Sequence, residues 1–411
     1  MLFQLARVSM TIQRTEKKLK GFLISSGLIT PNDRTHSVID RCTPGIVMVM
    51  FLGIATAAGS EQLPFPLYEK GETIESYARR ASLDARKSVD LGEGVALEAV
   101  LIPAAKFSMG SRPPQQANIT IAGSQVLIAI GVICVLALIM NLFRKPRGRR
   151  KSFSLSWLLL ITIASGLIVA GSARWYLAIQ RERKWAHDMS VYEELPSDEK
   201  PAHMATIALP FYMGKFLVTQ RQYESLMKSN PSHFKGPELP VDSVSKDDAV
   251  SFCNRLNDQF KRQLGDLHVQ LPSEIQWEFA CRGGTDTAFY VGDVISTDEA
   301  NFDGTIDSPF LSAFGKYRRQ TTPVNTFKPN PFSLYDMHGN VQQWCDDERP
   351  AKIRGPNTIS VSNDCMLRGG CFSAPSDRCR SARRDSAYAS TRIRCIGIRV
   401  VLVFSKVAPE K

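Results

Sequence analysis

Two long apolar runs, separated by a short segment whose only charges are basic, constrain this chain more than any other feature. Residues 121–143 and 153–173 are apolar, the first without a polar break from Val126 to Met140, and RKPRGRRK at 144–151 lies between them. A helix needs roughly 20 apolar residues to cross about 30 Å of hydrocarbon, so each run reads as a transmembrane helix. Trp157 and the Arg174-Trp175-Tyr176 cluster mark the ends of the second run, where amphipathic rings favour the headgroup layer. A short basic loop, taken here as 144–152, belongs on the cytoplasmic side, which sends both outer ends of the hairpin to the opposite compartment. A third, shorter apolar run at 44–58 follows Arg14, Lys17, Lys18, Lys20, Arg34 and Arg41. It reads as a signal peptide or a signal anchor within a basic N-terminal region, 1–60, and it delivers residue 61 onward to the outside. Two separate charge arguments therefore agree on a multi-pass membrane protein with its main domain exoplasmic, periplasmic in a two-membrane bacterium.

The charge balance supports the bilayer as partner and argues against nucleic acid. Lys+Arg total 51 against 40 Asp+Glu, a net charge of +11. Residues 1–41 hold +4 of that surplus and the loop at 144–151 holds +6, leaving +1 for everything else. A nearly neutral bulk has no field to attract a polyanion. At 44% hydrophobic and 22% charged residues the chain has the composition of a folded protein rather than a disordered one.

Outside the membrane segments, residues 61–93 read as a polar, helix-compatible linker, and residues 94–111 alternate like a strand that ends in a turn. Residues 193–404 read as an irregular α+β domain with few short strands, long loops and two clear helical patterns. One is Lys246–Phe260, with Ala249, Phe252, Cys253 and Leu256 at helical spacing. The other is Ser273–Cys281, opened by Ser273 with Gln276 three residues on, a capping box.

The motifs of this half run in a recognisable order: LIPAAKFSMGS (101–111), LPSDEKPAH (195–203), PFYMGKFLVTQRQYESLM (210–227), LPSEIQWEFACRGG, PVNTFKPNPFSLYDMHGNVQQW, LRGG, CRSARR and IGIRVV. Together they resemble the formylglycine-generating enzyme family, also called sulfatase-modifying factors, whose fold is a variant of the C-type-lectin fold. The resemblance implies a strand and a helix within 210–227. It also implies that the membrane hairpin is an insertion into the domain, because the opening strand precedes it and the remainder follows it.

Enzymes of that family bind copper(I) through two cysteines just after their RGGS motif and use O2 to oxidise a sulfatase cysteine to formylglycine. Soft thiolates select Cu(I), which two of them hold linearly. Here the region runs from Arg368-Gly369-Gly370-Cys371 to Cys379-Arg380, with Ala374 where the first family cysteine falls. Counted without gaps, the second coincides with Cys379; anchored on CRSARR, Cys379 takes a structural position found in non-enzymic relatives, and the catalytic pair is absent. Cys371 replaces the serine of RGGS, and Cys395 replaces the asparagine before the Ile396-Gly397-Ile398-Arg399 turn. Cys371 and Cys395 form a displaced thiol pair, a disulfide, or two unconnected small residues. Cys371, Cys379 and Cys395 are thus the catalytic candidates of an oxidase reading with Cu(I). The reading preferred on the sequence is a binding domain for a peptide, protein or glycan; an envelope scaffold is the third.

The family also binds calcium through loop oxygens. The matching positions are Asn301 and Phe302 at one turn and Asn340, Val341 and Gln343 at the other, where Gln343 stands for the usual glutamate and removes a negative charge. The six histidines include no pair at iron-ligand H-x3-H spacing, and no phosphate loop or nucleophile elbow is present.

Overall fold

The computed structural model describes residues 64–114, 127–136, 155–348, 352–353, 359–360 and 364–405. The run at 44–58 and the basic loop at 144–152 lie outside these residues.

Residues 61–93 hold more structure than a linker. Thr73, accepting from the Ser76 amide, caps helix α1 (Ile74–Ala81), whose buried face is Ile74, Tyr77, Ala78 and Ala81. Strand β1 (Arg86–Gly92) follows and pairs antiparallel with β2 (Val95–Ile102). The segment read as one strand over 94–111 is two, because β3 (Ala105–Met109) leaves the first sheet. The five-stranded sheet runs β1-β2-β5-β13-β6, with β5 (Phe211–Gly214), β6 (Leu267–Gln270) and β13 (Val401–Phe404). A second sheet runs β11-β10-β7-β12, from β7 (Gln342–Glu348), β10 (Asp364–Arg368), β11 (Asp385–Tyr388) and β12 (Ile396–Gly397), and β8 (Lys352–Ile353) pairs with β9 (Ile359–Ser360) in a small ribbon. Strands are thus more numerous than the sequence pattern suggested.

Both helical patterns are present, as α5 (Lys246–Gln259) and α7 (Glu274–Arg282), each opened by a reciprocal capping box. The helix implied by the family resemblance is α4 (Gln220–Met227), with its own Thr219–Gln222 box. With α1 and the short α6 (Lys261–Leu264) the domain has more than two helices. In the main core cluster, Trp277, Trp344, Phe252, Phe332 and Leu101 are fully buried.

The two apolar runs are helical where described. The first appears as α2 (Leu127–Leu136) and the second as α3 (Leu155–Glu194), a 40-residue helix that continues well past Ala173. At ~1.5 Å per residue α3 is about 60 Å long, twice the hydrocarbon thickness, so its charged second half forms a stalk. Thr162–Glu194 of α3 is long and apolar enough to cross a membrane by length and composition. The helices meet closely at Gly131, where a Cβ would fall 2.5 Å from Ile168 and 3.0 Å from the Ala164 carbonyl. Ile133 (64% exposed) and Val169 (67%) face outward with no protein cover.

The hairpin leaves and re-enters the domain at one place. β3 pairs antiparallel with β4 (His203–Ile207), from Ala105 opposite Ile207 to Met109 opposite His203. Beyond the ladder the Ser111 amide donates to the Glu199 carbonyl at 2.7 Å, and the Ala202 amide to the Ser111 carbonyl at 3.1 Å. Residues 110–202 therefore lie between two paired strands.

Candidate functional site

The root of the hairpin is fastened to buried charge. The Gly110 amide donates to Glu278 Oε1 at 2.7 Å, and Arg282 Nη2 donates to the Gly110 carbonyl at 2.9 Å. Glu278 lies on α7 four residues before Arg282, which donates back to it, and Arg368 bonds its other oxygen. Burial alone would raise the Glu278 pKa, but Arg368 and Arg282 outweigh it and hold the carboxyl ionised. On the other side of the root, Arg380 donates through both terminal nitrogens to Glu199, at 2.6 and 3.2 Å, and Arg383 adds a third bond at 3.3 Å. The Asp-Glu of LPSDEKPAH, the WEF helix and CRSARR are thus one clamp. Their partners lie up to 184 residues apart, so no local spacing could have paired them, although Glu278 and Arg282 on one helix face among apolar neighbours were a visible sign.

The loop after β10 holds the cysteines. Gly369 and Gly370 both take positive φ, +96° and +70°. A Cβ on Gly370 would meet Cys379 Sγ at 2.5 Å, so the glycine is what admits that sulfur. Cys379 is fully buried in a small apolar cluster with Phe289, Ile295, Ala300 and Phe302, and burial pushes its thiol far above the ordinary range. Ala374, in the place of the first family cysteine, packs against the same cluster. His338 braces the wall: its Nδ1 lies 2.8 Å from the Cys379 carbonyl and its Nε2 receives the Tyr290 amide at 3.2 Å. That pairing fixes the neutral ring with its proton on Nδ1. Burial lowers its pKa to about 4. Cys281, 3.8 Å from His338 Nδ1, resembles a nucleophile beside a base, but burial raises its pKa to about 12 and both side chains are sealed from solvent.

Cys371 and Cys395 form the other environment. Ser373 Oγ lies 3.4 Å from Cys371 Sγ and 3.2 Å from Cys395 Sγ, so two sulfurs share one hydroxyl. Cys371 is buried and Cys395 half-buried. The neighbouring Cys395 thiol and burial hold Cys371 up, while Cys371, Ser373 and the Arg394 charge draw Cys395 down. Cys371, Cys379 and Cys395 are all free thiols. Of the three candidates, then, Cys371 and Cys395 come together and Cys379 stands apart.

The calcium positions converge on one hydrogen-bonded turn. Asn301 Nδ2 donates to Asn340 Oδ1 at 3.2 Å, which also accepts the Thr322 amide at 2.9 Å. The Asn301 carbonyl accepts the Asn340 amide, and the Asn340 carbonyl accepts the Phe372 amide. Gln343, read as the weakened ligand of the second site, is not a ligand: its Oε1 accepts Trp277 Nε1 and Arg399 Nε, both at 2.8 Å. A guanidinium in contact with that oxygen repels a cation. The side chains of Phe302 and Val341 are core groups. Asn301 Oδ1 is an orphaned oxygen, yet the buried carboxyl of this turn, Asp336, is itself raised to about 7 by burial despite the nearby Arg399. Asp347, which follows β7's Asp346, is committed to the Glu274 amide. Calcium asks for several oxygens including carboxylates, and this donor set does not fit it. Among the described residues no group of three His, Cys, Asp or Glu side chains could hold a metal.

A cleft of about 540 Å³ opens between the stalk end of α3 and the domain, with Arg112, Lys184, Trp185, Arg282, Phe310 and Arg380 in its wall. Trp185 Nε1 ties the stalk to the Pro114 carbonyl at 3.3 Å. Aromatic and guanidinium surfaces side by side suit an extended polar ligand. Nothing in the motif spacing pointed to this cleft, because the stalk belongs to the insertion and the opposite wall to the domain.

Residues 160–403 match the model of the sulfatase-modifying factor enzyme 1-like domain. The chain is 32% identical over 194 residues to the chaperone protein LppX of Paenibacillus barcinonensis, covering 37% of this chain and 67% of that one. It is 31% identical over 181 residues to the formylglycine-generating enzyme of Thermomonospora curvata, covering 39% of this chain and 55% of the enzyme. The match thus spans about half the length of that enzyme. Among solved structures, Treponema denticola variable protein 1 aligns over 77% of this chain and 99% of its own, at 18% identity and a TM-score of 0.46.

Proposed function

This chain belongs to the sulfatase-modifying factor family, and on that footing we propose that it is a membrane-anchored, exoplasmic binding domain that has given up the family's oxidase chemistry. The observation that carries this reading is the state of the two catalytic positions: Ala374 in one and the sealed Cys379 in the other. A copper ion at that place would have one sulfur, reachable only by opening the Phe289–Phe302 cluster. The cleft beside the stalk supplies the alternative, an open surface on long loops held by a rigid core, suited to a peptide, protein or glycan. The relative whose name records a chaperone role is matched over more of its length than the enzyme is, which favours binding over oxidation.

The two-span anchor is supported by parity. Because β3 and β4 pair, the residues between them must cross the bilayer an even number of times. If the apolar part of α3 crosses once, the run at 121–143 makes the second crossing. The basic loop between them then faces the cytoplasm and the domain faces outward.

The test is direct. The full chain in lipid nanodiscs, supplied with Cu(I), O2 and a peptide carrying Cys-x-Pro-x-Arg, yields no aldehyde on this reading. Aldehyde formation that disappears in Cys379→Ser would reinstate the oxidase.

A further inference from the structure

We propose that Cys371 and Cys395 are a reversible dithiol–disulfide couple that exchanges electrons with disulfide-bearing molecules, Cys395 attacking and Cys371 resolving. The couple is distinct from the ligand cleft and independent of how that cleft is used.

Three observations lead there. The first is juxtaposition: residues from two separate loops, after β10 and before β12, bring their sulfurs to the same hydroxyl of Ser373, at 3.4 and 3.2 Å. The second is the division of exposure. Cys395 is half-open to solvent while Cys371 is 5% exposed behind it, the arrangement in which an outer thiol meets an incoming disulfide and an inner one completes the exchange. The third is contrast with the other cysteines of the domain: Cys253, Cys281, Cys345, Cys365 and Cys379 are all buried. Reactivity of a thiol follows thiolate character and access together, and here both favour Cys395. The Cys395 thiol is lowered by the neighbouring Cys371, by Ser373 and by Arg394, so that geometry and electrostatics point the same way.

The chemistry balances without a metal. The Cys395 thiolate attacks one sulfur of R–S–S–R′; that S–S bond breaks, R′S⁻ leaves and takes up a proton, and a mixed disulfide joins Cys395 to R. Cys371 then gives up its proton and attacks Cys395 Sγ, the mixed disulfide breaks, and RS⁻ leaves and is protonated. Two protein thiols become one disulfide, and the incoming disulfide becomes two thiols. Arg394, exposed and held over the Phe372 ring at 5.8 Å, gives the entrance a positive charge, which favours an anionic disulfide over a cationic one.

Oxidised glutathione is the anionic probe and cystamine the cationic comparison, each added to the full chain in nanodiscs and followed by peptide mass spectrometry. In the unmodified protein, brief alkylation should label Cys395 at least roughly tenfold faster than any other cysteine of the domain. Oxidised glutathione should then yield a Cys371–Cys395 disulfide, faster than cystamine does, which dithiothreitol reopens in the folded protein. Cys371→Ser should stop the reaction at one glutathione adduct on Cys395, and Cys395→Ser should give neither adduct nor disulfide. Equal labelling of all the cysteines, an adduct that persists on Cys395 with Cys371 intact, or a bond that resists dithiothreitol until the domain unfolds would overturn the proposal. Because the alkylation and disulfide mapping use the unmodified chain, they decide the question even if a serine variant fails to fold.

Discussion

The inserted hairpin and the domain that carries it solve opposite solvation problems. In the hairpin, Ile133 and Val169 point outward and the helices touch through Gly131 and Ala164, small residues that let backbones approach. In the domain, Arg368, Arg399 and Glu278 are at most 1% exposed, and the residues around them supply the charge and hydrogen bonds that water would have given. Burial of an ion is tolerated only with such partners, since a carboxylate or guanidinium stripped of both costs several kcal/mol. An apolar side chain turned outward is favoured where the surroundings are as apolar as it is. The same chain thus carries an outward apolar surface and an inward charged one, joined at Gly110 and Glu199.

The comparison breaks most easily on the domain side. Arg368→Ala removes the shared partner of Glu278 and Glu274 and leaves their charge buried. A loss of about 3–5 kcal/mol is expected, read as a fall in the denaturation midpoint of the domain. If stability hardly changes, the network is not carrying the buried charge. On the hairpin side, Val169→Arg should cost roughly 2.5–3.5 kcal/mol of membrane insertion while leaving the folded domain intact. A variant that inserts normally would mean that Val169 does not face lipid.

The third test sharpens the domain side with a proton. His338 is neutral and its folded pKa of about 4 lies below the ordinary 6.5, so its contribution is present above the ordinary value and is lost as pH falls toward the folded one. Asp336 has the opposite sign: its folded pKa of about 7 lies above 3.8, so its contribution is full at low pH and is lost as pH rises through about 7. The two offset each other in the window between. Replacing His338 by Gln should remove about 1.5 kcal/mol of acid destabilisation between pH 6.5 and about pH 5, whereas Asp336→Asn should steepen the acid loss. Thermal unfolding across that range distinguishes them; identical slopes in both variants would contradict the assignment.

What was legible in the sequence followed from local physics. Ser273 with Gln276 announces α7, apolar spacing from Ala249 to Leu256 announces α5, and the strand and helix within 210–227 follow from the family motif. Motif order sets β3 before residues 110–202 and the rest of the domain after them. By contrast β1 hides in a polar stretch because only Val89 of its seven residues is buried, so alternation there leaves little apolar trace. Gln343 illustrates the limit at the site. Its identity suggested a diminished ligand, while its role, accepting Trp277 and Arg399 together, depends on residues 66 and 56 positions away. Cys371 and Cys395 were visible as departures from the family pattern, but that one serine bridges them follows only from how the two loops cross.

The pairing of β3 with β4 also dictates an order of events during synthesis. β3 leaves the ribosome long before its partner, and the intervening residues 110–202 must be made before His203 is available to close the ladder. A nascent chain that fails to seat its hairpin leaves β3 unpaired and Glu278 and Arg282 without Gly110. Closure of that ladder therefore comes only after α2 and α3 have both been made.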